Sequence, residues 1–331
     1  MPKLYFGEAF ALIGKTMPFI WARLGSYTVL GLVLLVYFGV MGGIAVLLGR
    51  LAGWLGGLVF LLAFAGAVGV IRWVTRYYFY LLKAAHTAVM TEVIVYNKVP
   101  DGGQIHYGKQ QVTSRFRDTS IMFGVDALLD GITKAFTRNF ARLGRILPIP
   151  GLDGLMGVLE RIAIFSTTFI DEAILSRAYK ERESNVWKVA HDGVILYAQA
   201  WQPILANAVV LALISFGQFL LFLILLGLPA VAIGSVLPEA IRPALGVGVI
   251  VFAWLIKVAV ADAFALAATL IAYHRSTENL APNPEWQTKL EGVSDKFRDL
   301  GQKAAEAAGR RSAGAPMPPA PAGDVSPEGT S

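Results

Sequence analysis

The sequence predicts an all-α integral membrane protein. It has about four transmembrane helices in two hairpins, with amphipathic interfacial and cytoplasmic helices around them. Three observations predict this. Apolar runs recur at Val29–Leu48, Leu55–Trp73, Ile204–Leu228 and Leu245–Tyr273, and about 20 apolar residues cross a hydrocarbon core ~30 Å thick. The first two runs are joined only by the short turn Gly49–Gly53, which makes them an antiparallel hairpin. Charged residues are 16% of the 331 and hydrophobic ones 55%, against about 25% charged in soluble domains.

Composition narrows the chemistry. There is no cysteine, so there is no disulfide, thiolate metal site or cysteine nucleophile. The net charge of +6 and pI near 9.4 suit a bilayer with anionic headgroups. Nucleic acid is not an expected partner, because the basic residues are interleaved with acidic and aliphatic ones.

Residues 1–24 form an N-terminal amphipathic interfacial segment. Leu4, Phe6, Ala9, Phe10, Ile13, Met17 and Ile20 recur at helical spacing, with Lys3, Glu8 and Lys15 between them. Over Leu4–Trp21 this predicts a helix lying on the membrane surface; the other reading is an extension of the first span. A cleaved signal peptide is not expected, since no small-residue cleavage site precedes the polar part of the chain.

Residues 25–76 form the first hairpin. Gly39, Gly43, Ala65 and Gly69 have small-xxx-small spacing, which lets helix backbones approach in lipid. Packing within the hairpin is the favoured reading and an oligomer face the other. Arg72, Trp73, Arg76, Tyr77, Tyr78 and Tyr80 mark a membrane–water boundary.

Residues 77–202 form a membrane-proximal cytoplasmic helical region. Glu92–Tyr96 reads as a short strand or a helix end, and Pro100–Gly103 as a turn. Thr119–Leu147 is a basic amphipathic helix. Its apolar face carries Leu128, Ile132 and Phe136; its other face carries Lys134, Arg138, Arg142 and Arg145. That basic face either binds lipid or a partner, or is the solvated side of a packed helix. Leu152–Tyr179 is a further helix, too charged to span lipid alone. Ser184 is the expected N-cap of a helix from Asn185, running on into the third span past Pro203.

Residues 203–274 form the second hairpin, joined through Pro229–Ala244. Residues 275–308 form a C-terminal cytoplasmic helix, exposed over Asn283–Ala308. Residues 309–331, rich in Pro, Ala, Gly and Ser, read as a disordered tail. Lys and Arg are frequent before the first span, between the hairpins and after the last span. Arg50 and Arg242 stand alone in the two opposite turns. The positive-inside rule therefore places both termini and residues 77–202 in the cytoplasm, with the plasma (inner) membrane as the expected location.

The candidate intramembrane polar site is Lys257, Asp262, Gln218 and Asn207. Ionisable groups in a span are costly and need a reason. Five residues are about 500° of helical rotation, so Lys257 and Asp262 are expected to point apart and to find partners on other helices. Gln218 and Asn207 on the third span are the candidates. The group reads either as a polar pathway at the midplane or as a structural contact between helices.

Four histidines, His86, His106, His191 and His274, are scattered without ligand-pair spacing, so no metal and no cofactor are expected. Asp171 and Glu172 are expected to pair with Arg161 and Arg177. No G-x-S-x-G elbow, phosphate-binding loop or dinucleotide fingerprint is present. No catalytic residue is assigned, and the chain is expected not to be an enzyme.

The last quarter is similar to the C-terminal end of choline-transporter-like proteins. Asp262, the apolar stretch Phe264–Ile271 and the exit Glu278-Asn279 carry the likeness. It covers only that end; the chain has fewer spans and lacks the family's cysteines. The resemblance implies solute transport.

Two function classes follow. One is a non-enzymatic membrane scaffold or organiser, engaging lipid and partners through its interfacial helices. The other is an oligomeric solute transporter or channel-like protein built around Lys257, Asp262 and Gln218. Partners in either case are the bilayer and a homo-oligomer or a second membrane protein.

Overall fold

The computed structural model describes residues 4–115, 125, 128–129, 131–132, 169–181, 185–236, 239 and 242–312. Every regular element among them is helical. Four helices are long and apolar enough to cross a membrane. The basic face Lys134, Arg138, Arg142 and Arg145, Arg161, Ser184 and residues 313–331 lie outside the described residues.

Helix α1 spans Phe6–Lys15 and α2 spans Met17–Leu51. The amphipathic segment expected over Leu4–Trp21 is thus two helices, broken at Thr16. Pro18 explains the break: it lacks the N–H that would bond the carbonyl of Gly14, and it is tolerated in a first turn, where that N–H has no partner anyway. Nor does α1 rest on lipid alone. Its Ala9 and Leu12 are buried in the protein core.

Helix α3 spans Gly53–Val74, passes through a π-helical turn at Thr75–Phe79 and continues as α4, Tyr80–Tyr96. The helix therefore does not end at the boundary aromatics but runs on past them. The helix runs 44 residues, about 66 Å at 1.5 Å per residue, roughly twice the hydrocarbon thickness. Glu92–Tyr96 is its last turn, closed by Asn97 in the left-handed region at φ 52°. Gly102 and Gly103, at φ 76° and 101°, make the expected turn into α5, Gln104–Arg115.

Next come α6, Ile170–Glu181, and α7, Val186–Gln199. The N-cap of α7 is Asn185, one residue beyond the predicted Ser184. Its side-chain oxygen accepts from the Lys188 N–H at 3.1 Å. The expected run into the third span is interrupted at Ala200, after which α8 covers Trp201–Val236. Pro203 cannot donate to the carbonyl of Gln199, and the missing bond falls at the break between the two helices. Helix α8 also passes through Pro229 instead of ending before it. Helix α9 spans Arg242–Thr277. The C-terminal helix is two, α10 at Pro284–Val293 and α11 at Asp295–Ser312, parted at the extended Ser294. The Ser294 hydroxyl accepts from the Phe297 N–H at 3.3 Å. This pair is not simply exposed: Leu290, Phe297 and Leu300 are buried.

The four spans pack as a row. Helix α3 packs on α2, α2 on α9, and α9 on α8. The first hairpin closes through Gly49 and Gly56, where a Cβ on Gly56 would lie 2.6 Å from the Ala45 carbonyl oxygen. The Tyr37 hydroxyl donates to the Ala63 carbonyl at 3.0 Å. The small-residue set Gly39, Gly43, Ala65 and Gly69 is exposed, with nothing near its three glycines; it does not close the hairpin, because Ala63 and Ala67 take the inward positions. Gly31 joins the two hairpins, facing Leu255 and Phe252 of α9.

Below the row the helices gather into a bundle. One core unites Ala9 and Leu12 of α1, Met90 of α4, Ile174 of α6, Val194 of α7, Leu266 and Tyr273 of α9, and Phe297 of α11. A second core sets Phe19 of α2 against Ala85 and Val89 of α4. Apolar side chains are exposed from Val29 to Tyr78 on the first hairpin and from Leu213 to Val236 on α8. On α9, by contrast, Ala263–Tyr273 is buried almost throughout. The spans thus change from a lipid-type surface to a packed interior along their own length.

Candidate functional site

Polar side chains collect where the row meets the bundle. Lys257 and Asp262 come first. The expectation that they point apart is corrected: Lys257 Nζ lies 2.5 Å from Asp262 Oδ1. The long lysine stem wraps around the helix and covers the angular gap that Cα spacing implies. Lys257 lies about 22 Å along α9 from Arg242, and the continuously buried stretch Ala263–Tyr273 begins directly after Asp262.

Arg23 is the residue whose role the sequence did not reveal. It is 5% exposed on α2, and its Nη2 donates to the Val258 carbonyl at 3.2 Å. Its Nη1 is buried without a partner. Tyr27, Asp262 and Glu172 all lie within its electrostatic reach. In the sequence it reads as one more positive-inside charge. The available signal was its spacing from Thr16 and Phe19, which puts all three on one helical face.

That face meets α4. His86 stacks on Phe19 at 4.8 Å between ring centroids, and its Nε2 lies 3.1 Å from the Thr16 hydroxyl. One turn earlier, Lys83 pairs with Glu172 of α6 and sits over the Phe169 ring at 5.1 Å. Glu172 thus pairs with Lys83 rather than with an arginine. Arg177 instead reaches Glu181 at 3.5 Å, its neighbour one turn on. Burial, and then the charge of Asp171, push the Glu172 carboxyl well above the usual carboxylate range, against the opposing pull of Lys83.

Deeper in the bundle the Ser176 hydroxyl lies 2.7 Å from His274 Nε2 and 2.6 Å from the Thr91 hydroxyl. The triple ties α6 to α9 and α4. Ser176 is fully buried, so no substrate reaches it in this conformation. His191 stacks on Phe297 at 4.6 Å and faces Asp192. Burial pushes the Asp192 carboxyl up, but hydrogen bonds from His191 and Lys188 outweigh it and hold it below its ordinary value. His106 is exposed. No group of three or more His, Asp or Glu side chains converges among the described residues.

The remaining predicted members separate. Helices α8 and α9 run antiparallel, with Gly227 facing Val249 and Gly234 facing Leu245. Extending that register places Gln218 level with Val258, near the Lys257–Asp262 pair. Its Oε1 is nevertheless shielded without a hydrogen-bond partner. Asn207 serves another purpose: it accepts from the Tyr5 N–H at 3.3 Å and donates to the Pro203 carbonyl at 2.8 Å, pinning the N-terminus to α8. Compared with known proteins, the chain matches no family model, no curated sequence and no solved structure.

Proposed function

We propose that this multi-pass membrane protein is a non-enzymatic scaffold or organiser, with a helical bundle held against one face of the bilayer. The row order α3–α2–α9–α8 is the observation that carries this reading. A row exposes its spans to lipid on two sides, whereas a solute pathway within one chain needs helices closed around a lumen. The charges near the spans fit the same reading. Lys257 is taken up by Asp262 within α9, and Arg23 by the Val258 carbonyl, a contact that fastens α2 to α9. Basic side chains of Thr119–Leu147 would engage lipid headgroups or a partner. Both termini and residues 77–202 are proposed to face the cytoplasm, at the plasma or inner membrane.

The unpartnered Oε1 of Gln218, level with Lys257, favours a second reading. In it, two or more copies close their rows around a polar path. One experiment separates the two. The protein is purified in native lipid and copurifying proteins are identified by mass spectrometry, for the wild type and for Arg138, Arg142 and Arg145→Glu. In parallel, Lys257→Leu and Asp262→Asn are assayed for solute flux in vesicles. A partner lost from the triple variant supports the scaffold. Recovery without any partner, together with flux abolished by Lys257→Leu, supports transport and overturns it.

A further inference from the structure

The last turn of α3 and the π-helical turn after it together carry two parallel pairs of side chains. Arg72 and Arg76 are four residues apart, and so are Trp73 and Tyr77. Residues at this spacing share a helix face about 6 Å apart. Trp73 and Tyr77 are 64% and 42% exposed, with ring centroids 5.6 Å apart. The Arg72 and Arg76 side chains are exposed and make no ion pair or hydrogen bond among the described residues. By contrast, the exposed arginines Arg275, Arg298 and Arg310 face Glu8, Asp295 and Glu306. Two unneutralised guanidinium groups thus stand beside two aromatic rings.

Their depth is set by the helix. Arg72 lies about 29 Å along α3 from Gly53, which is the thickness of the hydrocarbon core. The level is fixed from the other side by Tyr78, whose hydroxyl lies 2.8 Å from the Ser26 hydroxyl, and by Phe79, stacked on Tyr27 at 4.0 Å. Ser26 and Tyr27 belong to the base of α2, just before its lipid-type surface begins at Val29. Helix α3 is also an edge of the row, with α2 as its packed span neighbour. The arginine and aromatic pairs therefore border lipid.

We infer that Arg72 and Arg76, with Trp73 and Tyr77 beside them, form a binding site for the phosphodiester of an anionic glycerophospholipid. Each guanidinium presents a planar fork of donors matched to phosphate oxygens. The indole and phenol rings sit at the level where such rings prefer the headgroup–acyl boundary. The lipid's negative charge neutralises two cations that the described protein leaves unpaired. The site rests on the lipid-engaging part of the proposed function and is independent of any protein partner.

The test reads lipid alone. Purified full-length protein in maltoside detergent is titrated with phosphatidylglycerol, phosphatidylcholine or soluble glycerol phosphate, and bound lipid is counted by native mass spectrometry. The wild type is compared with R72Q/R76Q, R72K/R76K and R50Q, the last at the opposite hairpin turn. The expected result is phosphatidylglycerol binding preferred over phosphatidylcholine. R72Q/R76Q weakens it about tenfold or more, R72K/R76K by less, and R50Q not at all, as losing charge-assisted bidentate bonds requires. Unchanged binding by R72Q/R76Q, or equal binding of phosphatidylcholine, overturns the site. Equal retention of glycerol phosphate reassigns it to a free phosphate anion. If the double variant elutes as aggregate, R76Q alone is read by the same criteria. A missing protein partner in the purification above leaves all these outcomes intact.

Discussion

Lys257 Nζ and Asp262 Oδ1 meet at 2.5 Å on a single helix, with about a quarter of each side chain exposed. The pair sits where α9 leaves the row and enters the bundle. Removing one partner strands a charge in a largely desolvated place, whereas removing both strands none. Lys257→Leu and Asp262→Leu are each expected to cost about 1–3 kcal/mol, and the double variant less than their sum. Thermal unfolding in detergent, analysed as a double-mutant cycle, measures the coupling. Strict additivity would show the two residues do not act as a pair.

Glu172 makes stability depend on pH in an unusual direction for a carboxylate. Burial and Asp171 raise its pKa, so the folded state holds its proton more tightly than the unfolded chain. That contribution is fully present below about pH 4.3, the ordinary glutamate value. It is lost as pH rises through the raised folded value. Between pH 5 and 8 the melting temperature of wild type should therefore fall relative to Glu172→Gln. A gap that stays constant with pH would mean that Lys83 holds the carboxylate ionised throughout. Asp192 has the opposite sign: its pKa is lowered, and its contribution disappears only as pH falls below the ordinary aspartate value.

The first hairpin has a built-in control. A Cβ on Gly56 would meet the Ala45 carbonyl oxygen at 2.6 Å, while one on Gly57 would meet nothing within 4 Å. The obstacle at Gly56 is backbone and cannot rotate away. Gly56→Ala is expected to destabilise the hairpin by about 1–3 kcal/mol, the usual cost of overpacking. Gly57→Ala should leave the melting temperature unchanged or slightly raised. Equal effects at the two sites would mean that the Gly49–Gly56 approach is looser than it stands here.

The absence of cysteine makes membrane sidedness directly testable. Single cysteines placed at Arg50, in the first hairpin turn, and at Gly309, on the last helix, report on opposite ends of the spans. With a membrane-impermeant maleimide on intact cells, Arg50→Cys should label and Gly309→Cys should label only after permeabilisation. The reverse pattern would invert the proposed orientation.

The sequence by itself determined that this chain is helical and apolar enough to cross a membrane four times. Span length, boundary aromatics and turn glycines are local signals, and each apolar run lies within its helix, although the helices outrun it: α2 begins at Met17 and α8 ends at Val236. The helix breaks carry local signals too, at Pro18, Pro203 and Ser294. Only the tertiary structure decided which side chains meet. Arg23 finds Val258, 235 residues away, and Lys83 finds Glu172 across two helices, because α2, α4, α6 and α9 converge below the spans. The Lys257–Asp262 contact depended on side-chain reach rather than on Cα periodicity. The row order depended on which apolar faces packed together. In lipid every such face is equally greasy, so hydrophobicity cannot choose a neighbour and the fit of small residues such as Gly31 and Gly56 does.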